Sequence, residues 1–103
     1  MYGHYGGAYN ESIALTAAIV CSHIAEGRNR IICAIKDEPI APEDSGWQFH
    51  CGSIHSTTDG RVWAVGEILE CEPSLRPYMS LPHGTILTRI NDTNEWKISN
   101  KDV

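Results

Sequence analysis

A chain of 103 residues with 42% apolar and 20% charged residues has the size and composition of one soluble globular domain. Its formal net charge of -5 argues against a sequence-independent nucleic-acid binder, which needs clustered Lys and Arg to displace counterions from phosphates. No apolar run reaches the roughly 18 residues of a membrane span, and the first residues lack the basic and apolar parts of a secretory signal. We therefore expect a cytoplasmic protein that binds neither nucleic acid nor membrane.

Residues 1–11 hold three Gly and three Tyr without any period, which predicts a flexible segment ahead of a single domain over residues 12–103. Two interpretations compete for residues 12–26. In the first, apolar residues at positions 13, 17, 20 and 24 share one face of a helix. In the second, residues 15–21 form a buried strand, and Ser22 caps a single helical turn that ends at Gly27. Val and Ile tolerate both states, so the period alone does not decide.

Most of the remaining periodic segments predict strands. Residues 30–36 are rich in β-branched side chains and apolar on both faces, which indicates a central strand that ends before Pro39. Shorter apolar or alternating runs predict further strands at residues 47–51, 61–65, 85–90 and 95–98. The last two are expected to pair as a hairpin, because only a short polar turn separates them.

Turn-rich segments lie between these strands. Residues 52–60 are expected to form an exposed polar loop, and residues 73–79 a proline-punctuated turn with one helical turn at most. Residues 67–72 either continue a strand or begin a helix. The pattern as a whole predicts an α+β fold: a single domain with a mostly antiparallel sheet of about five or six strands and one or two short helices.

The segment that follows the central strand carries two acidic pairs, Asp37-Glu38 and Glu43-Asp44, with prolines between them. Asp44 can accept a hydrogen bond from the backbone two residues on, and Gly46 can take the positive φ that such a turn often needs. Trp47 comes next, either as a core anchor or as part of an interface. We interpret this segment as an acidic loop that is shaped by a turn and held by a tryptophan.

The sequence offers little for catalysis. Ser45 lies between Asp44 and Gly46, but the G-x-S-x-G pattern of a nucleophile elbow is absent, and no histidine has a fixed relation to this serine. The glycines near the N-terminus precede no strand–helix unit that could cradle a phosphate. The pairs Asp37-Glu38 and Glu43-Asp44 could serve acid–base work or hold a divalent cation, although a charge run is usually a solvated face. We predict no catalytic residue and no cofactor.

Five histidines and four cysteines raise the question of a metal site. No C-x-x-C pair occurs, and the closest groupings are Cys21-x-His23 and His50-Cys51, with His55 nearby. His50 and Cys51 point to opposite faces of a strand, so they cannot share one ion without a bulge. We therefore predict no metal site and interpret the four cysteines as small buried hydrophobic residues: Cys21, Cys33, Cys51 and Cys71.

Several short segments fit one pattern: Cys21-Ser22-His23-Ile24-Ala25-Glu26-Gly27, Ile35-Lys36-Asp37-Glu38-Pro39, Glu43-Asp44-Ser45-Gly46-Trp47-Gln48-Phe49 with Gly52, Glu72-Pro73-Ser74-Leu75 and Pro82-His83-Gly84-Thr85. Together they resemble the bacterial immunity protein 33 family over roughly residues 16–89. The chain departs from that family in two places. Lys36 and Asp37 stand where the family has Arg and Glu, and residues 53–56 replace an acidic run. The family pattern favours a strand ahead of Ser22.

The resemblance implies a small α+β protein that binds and neutralises a cognate toxin of a polymorphic toxin system and has no reaction of its own. We expect contact with a basic toxin surface through Asp37, Glu38, Glu43, Asp44 and Trp47. The structural motif would be Asp44, Ser45, Gly46, Trp47 and Gly52. The alternative is a small accessory or ligand-binding domain in which the Asp-Ser-Gly-Trp motif is purely structural.

Overall fold

A computed structural model describes residues 11–27, 29–52 and 60–100. The predicted flexible segment at residues 1–11 and the predicted polar loop at residues 52–60 fall almost wholly outside these ranges. The described elements are, in chain order, a first 3-10 segment (Glu11–Leu15), β1 (Ala17–Cys21), α1 (Ser22–Ala25), β2 (Cys33–Lys36), β3 (Asp44–His50), β4 (Gly60–Ala64), α2 (Val65–Cys71), a second 3-10 segment (Pro73–Tyr78), β5 (Thr85–Arg89) and β6 (Trp96–Asn100).

The six strands form one sheet in the order β4-β1-β3-β2-β5-β6. Neighbouring strands are antiparallel except for β1 and β3, which run parallel. The α+β fold with a mostly antiparallel sheet is therefore confirmed, as is the hairpin of β5 and β6. The strand predicted at residues 30–36 is central, because β2 lies between β3 and β5.

The first 3-10 segment ends at Leu15, and a strand followed by one helical turn covers residues 17–25, so the interpretation of residues 12–26 as one helix is wrong. Within β1, Ala18 and Val20 are buried whereas Ile19 is 47% exposed, which is the alternation of a strand with one covered face. The expected cap at Ser22 is also wrong. Cys21 occupies the N-cap position and makes no side-chain cap hydrogen bond, so Ser22 is the first helical residue of α1.

The second helical region begins earlier than predicted. Residues Val65, Ile68 and Leu69 are buried, and their spacing places them on one face of α2. Glu67 supports the helix start, because its side chain accepts a hydrogen bond from the backbone N–H of Ala64 at 2.9 Å. The second 3-10 segment continues this layer and buries Leu75 in the same core. Residues 67–71 therefore belong to a helix and not to a strand, and Glu72 is the C-cap of that helix.

One face of the sheet and these helical segments enclose a single hydrophobic core. Its largest fully buried side chains come from both layers: Trp47, Phe49, Ile68, Leu69, Leu75, Met79, Leu87, Val20 and Val65. The aromatic side chains of β3 lie in its centre, with the Trp47 and Phe49 rings stacked at 6.0 Å between centroids. The core therefore holds β3 in place, and with it the loop that enters this strand.

The expected burial of the cysteines holds for two of the four. Cys21 and Cys51 are buried in the core, but Cys33 is half-buried and Cys71 is exposed. Cys71 is the last residue of α2, and its side chain lies outside the buried face formed by Val65, Ile68 and Leu69. An apolar neighbour in the sequence therefore did not predict the burial of a cysteine at the end of a helix.

A buried ion pair lies at one side of the core. The Arg89 guanidinium contacts a Glu72 oxygen at 2.6 Å, with the two side chains 0% and 11% exposed. Arg89 also donates to the Ile31 carbonyl at 2.8 Å and to the Thr93 carbonyl at 2.7 Å. Its guanidinium lies 4.5 Å from the centroid of the Trp96 ring. This arginine therefore joins β5 to the chain ahead of β2, to the turn before β6 and to β6 itself.

The longest α-helix in the described ranges, α2, has seven residues. Within residues 11–27, 29–52 and 60–100, none of the helices has the length and apolar character needed to cross a membrane.

Candidate functional site

The acidic loop, residues 37–43, connects β2 to β3 and projects from the sheet. Glu38, Pro39, Pro42 and Glu43 are exposed, and Ile40 is 92% exposed. The tip therefore presents an isoleucine between two glutamates. Ile40 is one of several large apolar side chains that the described surface exposes, with Leu15 at 85% and Val62 at 73%.

Backbone hydrogen bonds hold both ends of the acidic loop. The N–H of Asp37 donates to the Gly46 carbonyl at 2.8 Å, which closes the loop on itself. The Glu43 carbonyl accepts from the N–H of Ala17 at 2.7 Å, so the far end is tied to the start of β1. The Lys36 carbonyl accepts from the N–H of Gly84 at 2.7 Å, just before β5. Three segments of the sheet thus fix the base of the loop.

The carboxylate of Asp44 shapes the loop from inside. One oxygen accepts a hydrogen bond from the N–H of Gly46 at 2.9 Å, which is the bond expected of a turn-forming aspartate. The other oxygen accepts from the N–H of Ile40 at 3.0 Å and so draws the tip towards the base. Both oxygens are used within the loop, which gives Asp44 a shaping role and leaves it poorly available to a partner.

Gly46 is required at its position for two separate reasons. Its φ is +82°, a conformation that side-chain-bearing residues rarely adopt. A Cβ atom there would also lie 2.1 Å from the Asp37 carbonyl oxygen. The predicted turn at residues 44–46 is in fact the start of β3, where Ala17 pairs with Asp44 but Ile19 pairs with Gln48. The additional residues on β3 form a bulge where the chain leaves the loop and enters the strand.

Trp47 lies beneath the acidic loop and is only 1% exposed. Its indole N–H donates to the Met79 carbonyl at 3.1 Å, and its backbone N–H donates to the Ser45 hydroxyl at 3.0 Å. The ammonium of Lys36 lies 5.5 Å from the centroid of the indole ring and donates to the Leu81 carbonyl at 2.9 Å. Burial lowers the pKa of Lys36 because it penalises the charged ammonium. Trp47 and Lys36 therefore support the loop from the core side.

The carboxylates expected to contact a partner fall into two groups. Asp37 is half-buried, and its carboxylate accepts a hydrogen bond from the Gln48 side chain at 2.6 Å. Asp44 is engaged within the loop. Glu38 and Glu43 are exposed, and within the described ranges neither side chain makes a hydrogen bond or an ion pair. The two glutamates are therefore the carboxylates most available to a partner.

Gly52, which belongs to the predicted structural motif, lies away from the acidic loop. It follows the carboxyl end of β3, whereas the loop enters the amino end of that strand. Its φ of +85° lets the chain turn there, and a Cβ atom would be in ordinary contact with Ile32 at 3.7 Å. The motif residues thus serve two ends of the same strand.

The sheet face turned away from the core carries apolar side chains that belong to none of the predicted site residues. One register row crosses all six strands and contains Val62, Ile19, Gln48, Ile35, Ile86 and Ser99. Val62 is 73% exposed and Ile19 is 47% exposed. Gln48, in the middle of the row, holds the Asp37 carboxylate, so the acidic loop borders this face. The only sequence signal was that residues 30–36 are apolar on both faces, which suggested burial on both.

A comparison with protein families identifies the chain. Residues 18–100 match the family model described as the immunity protein Imm33 domain. The matched range includes every strand of the sheet, the acidic loop and the Arg89–Glu72 pair, with only Ala17 of β1 outside it. No curated protein and no solved structure matches the chain.

Proposed function

This chain belongs to the Imm33 immunity protein family, and we propose that it binds and neutralises a cognate toxin of a bacterial polymorphic toxin system through its acidic loop. Immunity proteins as a class act by binding a toxin and are generally not enzymes. The toxin surface that would suit the acidic loop is a basic one. Cationic active sites, such as those of nucleases, have this character.

The observation that carries the proposal is the composition of the loop tip. Glu38 and Glu43 are exposed carboxylates on either side of Ile40, which is 92% exposed. Charge complementarity accelerates association and selects the partner, whereas an apolar side chain that enters a pocket slows dissociation. The tip therefore combines the two kinds of contact that a specific inhibitor needs.

The fixed base of the loop supports the same proposal. Hydrogen bonds that join Ala17, Gly46 and Gly84 to backbone groups at the loop ends hold it before any partner arrives. A loop that is already ordered loses less conformational entropy on binding, and more of the contact energy then appears as affinity. The exposed apolar side chains of Ile19 and Val62 on the bordering sheet face would extend the contact area beyond the loop.

The test is to neutralise the two tip glutamates together. The Glu38→Gln/Glu43→Gln double variant should bind the cognate toxin domain more slowly and with a weaker dependence on ionic strength. We expect a loss of affinity of about tenfold or more. The loss should come mainly from slower association, because charges at the rim of an interface act mainly on the association rate. Surface plasmon resonance at two salt concentrations measures both effects.

The matched control removes two charges elsewhere. Glu70 and Glu95 are exposed on other parts of the chain, so Glu70→Gln/Glu95→Gln changes the net charge equally. This control should bind like the parent protein. If the loop variant binds the toxin as tightly as the parent protein does, the loop has no role in binding. If both double variants weaken binding equally, the loss of affinity comes from the change in net charge and not from the loop.

A further inference from the structure

A thiol and imidazole cluster lies at the carboxyl ends of β1 and β3, at the opposite end of these strands from the acidic loop. Cys21 is the last residue of β1, His23 lies in α1, and Cys51 directly follows β3. Because β1 and β3 are parallel, with Val20 beside Phe49, their carboxyl ends meet at one edge of the sheet. The topology thus brings together two cysteines that are far apart in the chain.

The geometry of this cluster suits a metal ion. The Sγ atoms of Cys21 and Cys51 and a ring nitrogen of His23 all lie within 4.8 Å of one another. Cys51 Sγ is 3.5 Å from His23 Nδ1. A tetrahedral zinc ion, with Zn–S near 2.3 Å and Zn–N near 2.0–2.1 Å, separates a sulfur and a nitrogen ligand by about 3.5 Å. One edge of the coordination tetrahedron is therefore already formed.

The surroundings of the cluster are consistent with a neutral, partly enclosed ion. Cys21 is 3% exposed and Cys51 is 8% exposed, and neither is part of a disulfide. Two thiolates balance the charge of a divalent cation, so the occupied site carries no net charge into the protein interior. His23 is half-buried, which leaves an approach from solvent on its side.

We propose that Cys21, His23 and Cys51 bind one thiophilic divalent cation, with Zn²⁺ as the best match to two thiolates and one imidazole. On binding, both thiols lose their protons to solvent, and the neutral imidazole coordinates through Nδ1 while Nε2 keeps its hydrogen. A solvent molecule completes the tetrahedron on the His23 side. The ion would cross-link β1, α1 and the end of β3.

The test is a cobalt titration of the full chain, kept reduced and first freed of metal with a chelator. One equivalent of Co²⁺ should produce the intense visible bands of a tetrahedral site together with a thiolate-to-cobalt charge-transfer band, and Zn²⁺ should displace it. The His23→Gln variant, altered at the half-buried ligand, should lose more than the roughly 10- to 100-fold affinity that removal of a supporting residue costs. Cys21→Ser and Cys51→Ser each keep one thiolate and should weaken the charge-transfer band, and the double variant should abolish it.

Two cysteines outside the cluster provide matched controls. Cys33→Ser and Cys71→Ser remove a half-buried and an exposed thiol and should titrate like the parent protein. Circular dichroism of each metal-free variant shows whether the fold is kept, which distinguishes a lost ligand from a lost fold. If the cysteine variants do not fold, the cobalt affinity of a folded His23→Gln variant still tests the proposal. A reduced parent protein that binds no Co²⁺ would overturn the proposal, as would a folded Cys51→Ser variant with unchanged cobalt spectra. Toxin binding plays no part in this readout, so the metal site and the proposed function stand or fall separately.

Discussion

At the scale of single residues, the acidic loop depends on a backbone conformation that one amino acid can provide. Gly46 combines a φ of +82° with a close approach to the Asp37 carbonyl oxygen. Gly27 has a similar φ of +77°, but apart from its neighbours along the chain no atom of the described residues lies within 4 Å of the position that a Cβ would occupy. Substitutions at the two glycines therefore separate the free-energy cost of a left-handed backbone conformation from the cost of a steric clash.

We expect Gly46→Ala to lower the free energy of unfolding by more than about 3 kcal/mol, because backbone strain and a steric clash add together. Gly27→Ala should cost only about 1–2 kcal/mol, the penalty of a side chain in the left-handed region. Urea unfolding of both variants measures the difference. Equal costs would show that the contact with Asp37 relaxes freely and that the loop base is not rigid.

The residues nearest the loop also show what sequence can reveal at this scale. The hydrogen bond from the Gly46 N–H to Asp44 follows from local turn chemistry, which depends on neighbours along the chain. The burial of Trp47 does not, because its partner Met79 is 32 residues away. A tryptophan beside a displayed loop has the same local sequence whether its ring faces the solvent or the core. The contact role predicted for Trp47 stays a prediction, and its observed contacts are those of a support.

At the scale of elements, the Arg89–Glu72 pair connects segments that are distant along the chain. The guanidinium is fully buried and donates to two backbone carbonyls as well as to the carboxylate. Ser74 donates to the second Glu72 oxygen at 2.6 Å and accepts from the Trp96 indole at 2.9 Å. The buried charges are thus paired and hydrogen-bonded, which is the condition under which such a group is tolerated.

Arg89→Met should lower the free energy of unfolding by about 3–5 kcal/mol, because Glu72 would keep a charge in a buried site without its partner. The double variant Arg89→Met/Glu72→Leu should be more stable than the single one, since the stranded charge is gone. Arg61→Met is the matched control: Arg61 pairs with Glu26 at 3.7 Å on the surface, and such pairs contribute about 0–1 kcal/mol. Thermal or urea unfolding compares the three variants. A single variant as stable as the control would mean that water reaches Glu72.

The burial of Arg89 could have been predicted from the strand pattern, although Arg89 is not among the predicted site residues. Residues 85–90 were correctly predicted as a strand, and positions 85, 87 and 89 share one face of it. Leu87 marks that face as the core side, which places an arginine inside. Its acidic partner is 17 residues away, on the far side of a 3-10 segment, and no local pattern identifies it.

At the scale of the whole molecule, the class of fold could be predicted because strand periodicity and turn residues are local signals. The parallel pairing of β1 with β3 could not, because it joins segments that are separated by α1 and β2. That pairing decides which residues meet at the carboxyl ends of β1 and β3. Along the chain, the neighbour of Cys51 is His50, whose side chain is expected on the opposite face. In the folded sheet, the side chains of Cys21 and His23 lie close to that of Cys51.

The order of strands predicts where the molecule opens first. β2 and β3 are each flanked on both sides, whereas β4 and β6 are the edges of the sheet. Hydrogen exchange should therefore be slowest at Ala34 and Phe49 and much faster in β6, whose residues after Trp96 are exposed. Exchange followed by NMR measures this order residue by residue. Protection in β6 equal to that in β3 would show that the sheet unfolds only as a unit.

The division of the acidic loop into a fixed base and an exposed tip affects how such a chain can change over generations. Substitutions at Glu38, Pro39 or Ile40 alter exposed positions, and such changes usually shift stability by no more than about 0.5 kcal/mol. The residues that hold the base, Asp44, Gly46 and Trp47, lie outside the tip. If the tip contacts a toxin as proposed, point mutations in a few tip codons would change that contact without compensating mutations in the core. The same division makes the tip a natural place to graft foreign binding segments onto this fold.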